Sequence, residues 1–258
     1  MQVSTGTNRG GKAKALSIGF LSVLGALAVW KIAAVWVGNE LFLPGPESTL
    51  RVFTQLAAAR PFWTHLAATM IRGLAGFGIS YAVGVAAGLA TGLNSWFDTA
   101  FRPFLVTIRS TPFMAVTVLA LIWFRSDTVP VFVTFLMVFP LVTQNVRDGI
   151  RDIDVRLVQM ARVYRVRQGR ILRELYLPAI LPYLAAGATA GLGLTWKATI
   201  SAEVISNPRW GIGTQMDRAR VFLNTSEVFA WTAVVIALGL AFDRLIDGAV
   251  QKRVFRWK

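Results

Sequence analysis

The residues of this chain that could do chemistry are few and stand apart. Its only histidine, His65, opens a long apolar stretch with no second histidine or paired carboxylate near it, so an interfacial or packing role is expected instead of metal ligation or a hydrolase triad. There are no cysteines, which excludes disulfides, thiolate metal sites and cysteine nucleophiles. The stretch GTNRGGKA from Gly6 to Ala13 nearly spells a phosphate-binding loop, GxxxxGK[ST]. Ala13, however, replaces the magnesium-binding hydroxyl, and no strand precedes it. No catalytic residue, metal site or nucleotide cofactor is therefore expected in the chain itself.

What remains is charge set in apolar sequence: Arg72, Arg109, Lys197 and Glu203. An ionised side chain inside a membrane is costly and is treated as functional by default, so these four are the candidates for lining a translocation path. Lys197 and Glu203 lie about 240° apart around a helix of 3.6 residues per turn, so they do not share a face and each needs a partner elsewhere. Arg109 and Lys197 fall deeper in their stretches and are the stronger candidates. Arg72 and Glu203 lie near one end, where snorkelling to the interface competes equally with function. Lys31, inside the first apolar stretch, needs either a partner or a snorkelling path.

The elements that must position these residues are membrane helices. The chain has 258 residues, 55% hydrophobic and 16% charged, a balance unusual for a soluble domain. Six segments approach or exceed the length of about 20 residues that a bilayer requires: Ala15–Val37, Thr64–Leu93, Phe104–Phe124, Val129–Val146, Leu177–Ile205 and Val228–Val250. The first is too long for the apolar region of a signal peptide, about 7–15 residues. The expected organisation is an N-terminal tail over 1–14, one transmembrane domain over 15–250 and a basic tail over 251–258. The net charge of +14 is carried between the apolar runs, where it signals topology and not nucleic acid. Lys and Arg concentrate in both tails, in a turn near Arg102, and above all in the loop between the fourth and fifth spans. That asymmetry places both termini in the cytoplasm.

Two spans carry small residues at every fourth position: Gly76, Ser80, Gly84, Gly88 and Gly92 in the second, and Gly187, Gly191, Thr195 and Thr199 in the fifth. Such stripes let helix backbones approach closely, within one subunit or between two. Between the first two spans, Pro44, Gly45 and Pro46 precede a short amphipathic stretch expected to form an external surface helix. The loop Ser206–Glu227 is external too, its NPRWGIG expected to turn against the membrane interface.

The loop before the fifth span, QMARVYRVRQGRILRELYLPAILP, divides into two helical pieces. Val155, Val158, Ala161 and Tyr164 give a rough apolar face to the first, Ile171, Leu172 and Leu175 to the second. Arg162, Arg165, Arg167, Arg170 and Arg173 cover the polar surface. This stretch resembles the cytoplasmic EAA loop of the permease subunits of binding-protein-dependent ABC importers, with Gln159, Met160 and Ala161 at the EAA positions and Leu177–Pro178 at the closing LP. Arg165 stands at that motif's glycine, where a left-handed backbone angle costs a side chain more, so the turn is expected to be made differently. LFLPGP, IRSTPFMAV, LPAILPYLAAG and AEVI are similar to segments of the nitrate, sulfonate and taurine branch.

The resemblance implies an all-α membrane protein of about six spans with the type I ABC importer permease fold, in a bacterial inner membrane. It also implies that the loop over about 148–176 forms a coupling helix. Val158, Gln159, Met160, Ala161, Arg162, Tyr164 and Arg165 would dock on a separate ATPase subunit that binds ATP and magnesium. A second permease chain, as a homodimer, and a periplasmic or lipid-anchored solute-binding protein complete the implied partners. Rival readings are a membrane scaffold that recruits partners through its basic loop, and a membrane-embedded enzyme, against which the missing catalytic constellations argue.

Overall fold

The computed structural model of the protein describes residues 9–254, all of whose regular elements are helical. They are α1 (Arg9–Val37), α2 (Pro46–Ala58), α3 (Arg60–Leu93), α4 (Ser95–Ser110), α5 (Phe113–Trp123), α6 (Val129–Arg151), α7 (Val155–Val163), α8 (Gln168–Ile171), α9 (Leu177–Ser206), α10 (Ile212–Val221) and α11 (Thr225–Val254). A π-helical turn, Leu172–Tyr176, joins α8 to α9. Residues 6–8 of the near-P-loop and residues 255–258 of the basic tail lie outside the described residues, and residues 9–13 begin α1.

Helix α6 is the centre of the molecule, held between α3 and α9. Its Val138, Val142, Val146 and Ile150 are buried at every fourth position and meet the small-residue stripe of α3. A Cβ added to Gly76 would lie 2.8 Å from Thr134, at Gly84 2.9 Å from Val142, and at Gly88 and Gly92 2.6 Å from Val146 and Ile150. Both series ascend together, so α3 and α6 run parallel. On the other flank α9 runs antiparallel: Gly191 faces Val138, Gly187 faces Asn145, and the Thr134 and Thr199 hydroxyls meet at 2.8 Å. Both stripes thus pack within one subunit, where close dispersion contact supplies the association that lipid-facing apolar groups cannot.

Among the described residues four helices, α3, α6, α9 with its preceding turns, and α11, are long and apolar enough to cross a membrane; α4 and α5 reach that length only taken together, and in the expected first span the apolar helix is the shorter Leu21–Val37. The expected third span, Phe104–Phe124, is two helices, α4 and α5, bent by 99°. Pro112 is the cause: it lacks an N–H and forces the residue before it out of the helical region, and Thr111 accordingly adopts φ −78°, ψ 126°. α4 starts early, at an Asn94 cap whose side chain accepts from the Trp96 and Phe97 N–H groups. Arg102 therefore lies on a helix and not in a turn. α6 likewise runs past its expected end, carrying Arg147 and Arg151 out of the supposed loop.

The periphery follows the sequence more closely. α2 is the expected amphipathic helix, its Phe53 and Leu56 packed on a cluster of Phe62, Ile212, Trp231 and Val234. Lys31 finds its partner there, at 2.8 Å from Glu47, and hydrogen bonding to that ammonium holds the Glu47 carboxyl below its ordinary range. The loop after α9 does not simply turn along an interface. It folds back into the helices, burying Ile212, Gly213 and Thr214 at the start of α10.

Candidate functional site: two polar centres and an exposed helix

At the end of the bundle where α3 and α6 begin, Glu203 of α9 is wholly buried. Its carboxylate accepts from Thr69 Oγ1 at 2.8 Å, from Arg72 at 2.8 Å and from the Gly213 N–H at 3.1 Å. Arg72 also donates to Asp127 at 2.6 Å and to the Trp210 carbonyl. Snorkelling is excluded for Glu203, and Arg72 is the partner its charge required. Gly211 and Gly213 fit here because a Cβ on either would lie 2.7 Å from the Glu203 side chain. Asn207, left-handed at φ 45°, ends α9 and sends the chain back over that carboxylate; asparagine tolerates this conformation better than most residues. His65 Nδ1 accepts from the Gly211 N–H at 3.0 Å, and Nε2 faces the Gln215 amide at 3.0 Å. The lone histidine is thus a packed organiser of the α9–α10 loop, as expected of it.

At the opposite end a second centre joins α4 to α6. Asp98 is buried and pairs with Arg151 at 2.7 Å and Arg147 at 3.4 Å, while Arg147 also pairs with Asp148 at 2.9 Å. Sequence reasoning missed Asp98 and Asp127 because both were counted as loop. The signal that marked the second centre was the spacing of Arg147 and Arg151, one helical turn apart. Arg109 donates to Gln144, and both Arg109 and Lys197 are exposed on the surface of the subunit. The four expected path residues therefore separate: Arg72 and Glu203 form one buried pair, whereas Arg109 and Lys197 face outward with no carboxylate partner among the described residues.

Beyond the second centre α7 projects from the bundle. Asp154 caps it by accepting from the Arg156 N–H at 2.8 Å. No α7 residue is fully buried; Leu157, Met160, Val163 and Tyr164 are exposed apolar groups, while Val158 and Ala161 are half-buried. Of the expected apolar face, Val155 and Tyr164 are exposed, Val158 and Ala161 half-buried, and Leu157, Met160 and Val163 add to the exposed surface. Arg165 corrects another expectation. It adopts φ 53°, with the Val166 N–H bonded to the Ala161 carbonyl and the Arg165 N–H to the Arg162 carbonyl, both at 2.9 Å. This is a Schellman turn made with arginine in place of glycine.

From that turn one continuous helical rod, Gln168–Ser206, runs 39 residues back through the bundle, about 58 Å at 1.5 Å per residue. Its π-helical turn bonds the Leu177 N–H to the Leu172 carbonyl and brings Pro178 into the first turn of α9, where a missing N–H is tolerated. The rod connects the exposed helix α7 at one end to Glu203 at the other.

Residues 80–256 match the family described as binding-protein-dependent transport system inner membrane component. The chain belongs to that family. The permease is 35% identical over 236 residues to a putative aliphatic sulfonates transport permease protein, SsuC, of Escherichia coli K12, covering 90% of this chain and 87% of that relative. It is 29% identical to the taurine transport system permease protein TauC of the same strain, covering 94% and 89%. To the bicarbonate transport system permease protein CmpB of Synechococcus elongatus it is 28% identical, covering 87% and 84%. In fold the permease resembles a chain of the MetNI methionine ABC transporter, with TM-score 0.55 at 18% identity, covering 73% of this chain and 94% of that one. The sequence relatives agree with the expected branch, and the fold likeness with the type I importer permease fold. The permease is a multi-pass inner-membrane transport component.

Proposed function

We propose that the permease forms the translocation path of an ATP-driven importer for a small anion of the sulfonate, taurine, nitrate or bicarbonate class. Two copies pair around the path, and an external solute-binding protein delivers the solute. A separate ATPase docks on α7, with ATP and magnesium bound on that partner and none in this chain. Both termini face the cytoplasm, on the side of the basic α6–α9 connection, as the concentration of Arg156 to Arg173 there supports.

The observation that carries this reading is the exposed α7 joined to a 39-residue rod. A nine-residue amphipathic helix that exposes its apolar side chains is unfavourable unless a partner covers them. A helix anchored to a long rod can pass a partner's movement across the membrane as a rigid-body tilt. Met160, Val163 and Tyr164 enter the ATPase groove, with Val158, Gln159 and Ala161 beside them on α7, while Arg162 and Arg165 meet its carboxylates. Arg109 and Lys197, exposed and without carboxylate partners, line the path. Arg72 and Glu203 hold its outer end shut or open as a unit.

The docking is tested by Met160→Asp, which places an anion in the centre of the apolar face. The expected result is loss of ATPase copurification with membrane insertion intact. Undiminished copurification and solute-stimulated hydrolysis would overturn the assignment of α7.

A further inference from the structure

Arginines gather on one groove between α4 and α6. Arg102, Leu105, Val106 and Arg109 follow each other along one side of α4, and Pro140, Gln144 and Arg147 along the facing side of α6, around a space of about 180 Å³. Leu105 is buried against the bundle, whereas Arg102, Val106 and Arg109 are exposed. The space holds about six waters at about 30 Å³ each, which suits one small solute and no large one.

The charge balance of this groove is uneven. Arg147 is already offset by Asp98 and Asp148. Arg109 donates to the Gln144 side-chain oxygen, a neutral acceptor, and among the described residues neither Arg109 nor Arg102 meets a carboxylate. Gln144, with its oxygen engaged, has its amide nitrogen left to donate. The polar lining is therefore donors only: guanidinium forks and one amide. A donor-only cleft with two uncompensated positive charges attracts an anion and repels a cation, and planar guanidinium forks match the paired oxygens of an oxyanion.

We infer that the groove lined by Arg102, Arg109, Gln144 and Arg147 is an oxyanion-binding station on the translocation path, taking the sulfonate, nitrate or carboxylate group of a small monoanion. It rests on the importer reading and adds to it the residues that recognise charge. The same oxyanion chemistry is offered by a lipid phosphate, so the test separates the two sources.

The permease–ATPase complex is placed in neutral phosphatidylcholine nanodiscs and its thermal midpoint measured against ethanesulfonate, nitrate and uncharged ethanol. Saturable stabilisation by the two anions and not by ethanol is expected. Half-saturation should weaken about tenfold in R102Q and again in R109Q, the scale of one charge-assisted hydrogen bond. V106W, at an exposed position, should block the groove while removing no charge, and so covers the case in which an arginine variant fails to insert. No anion effect, or an effect untouched by these variants, overturns the inference. Stabilisation by phosphatidylglycerol that needs Arg102 and Arg109, with none by ethanesulfonate or nitrate, overturns it in favour of a headgroup site. Uptake into vesicles keeps the two readings apart: equal uptake kinetics in wild type and R102Q/R109Q sink the groove alone, whereas absent uptake in the wild type sinks the importer reading.

Discussion

Replacing Arg72 with methionine removes the cation paired with the wholly buried Glu203. Glu203 has no exposed surface, and the Arg72 side chain is only 11% exposed, so removal of the cation leaves a buried carboxylate facing a hydroxyl and one backbone N–H. Breaking a buried pair in this way costs about 3–5 kcal/mol. At about 2–4 °C per kcal/mol for chains of roughly this size, R72M should lower the thermal midpoint of the purified permease by about 6–20 °C. Glu203→Gln keeps an oxygen for Thr69 and Gly213 while removing the charge, so the double variant R72M/E203Q should regain more than half of that loss. The assay is thermal unfolding in detergent followed by tryptophan fluorescence, since Trp210 lies against the site through its carbonyl. A midpoint for R72M within about 2 °C of wild type, or a double variant worse than both single ones, would refute the reasoning that Glu203 is ionised and held by Arg72.

Other outcomes follow from particular contacts. Gly88→Ala forces a methyl to within 2.6 Å of Val146 and 2.8 Å of the Thr143 carbonyl and should cost about 1–3 kcal/mol by overpacking; Gly78→Ala, with nothing within 4 Å, should leave the thermal midpoint unchanged. Arg165→Gly relieves a left-handed arginine and should stabilise the turn by up to about 1 kcal/mol, seen as slower hydrogen exchange at the Val166 amide. Lys197→Ala should slow solute uptake while ATPase copurification stays intact, and unchanged uptake kinetics would make Lys197 a structural charge.

What the sequence disclosed about this fold depended on range. The four-residue period of Gly76 to Gly92 is local, and it marked the close approach of α3 before its partner was known; the matching period of Val138, Val142, Val146 and Ile150 is equally local, but it runs past the expected end of the span at Val146 into polar sequence. The Pro112 break lay hidden because apolar runs flank Arg109, Ser110, Thr111 and Pro112 on both sides, and hydropathy averaged over a span is blind to backbone angles. The Arg72–Glu203 pair joins residues 131 apart, and no local pattern encodes such a contact. Only the need of each charge for a partner was legible; for Glu203 a different helix met it through Arg72, whereas Lys197 has no carboxylate partner among the described residues. At Arg165 the motif located the turn correctly. The energetic argument that arginine would avoid it failed, because about 1–2 kcal/mol of left-handed strain is tolerated where two backbone hydrogen bonds fix the end of α7.

On the proposed reading, this chain conducts a solute under the control of an ATPase docked on α7. The most direct measurement places the permease, with its ATPase and solute-binding protein, in sealed vesicles and follows uptake of a radiolabelled small sulfonate, taurine, nitrate or bicarbonate with and without ATP. ATP-dependent accumulation of one of these anions is expected, with hydrolysis stimulated by the loaded binding protein, and loss of both in Met160→Asp. Stable association of all three components with no uptake of any of them would contradict it and leave the basic loop as the recruiting surface of a scaffold.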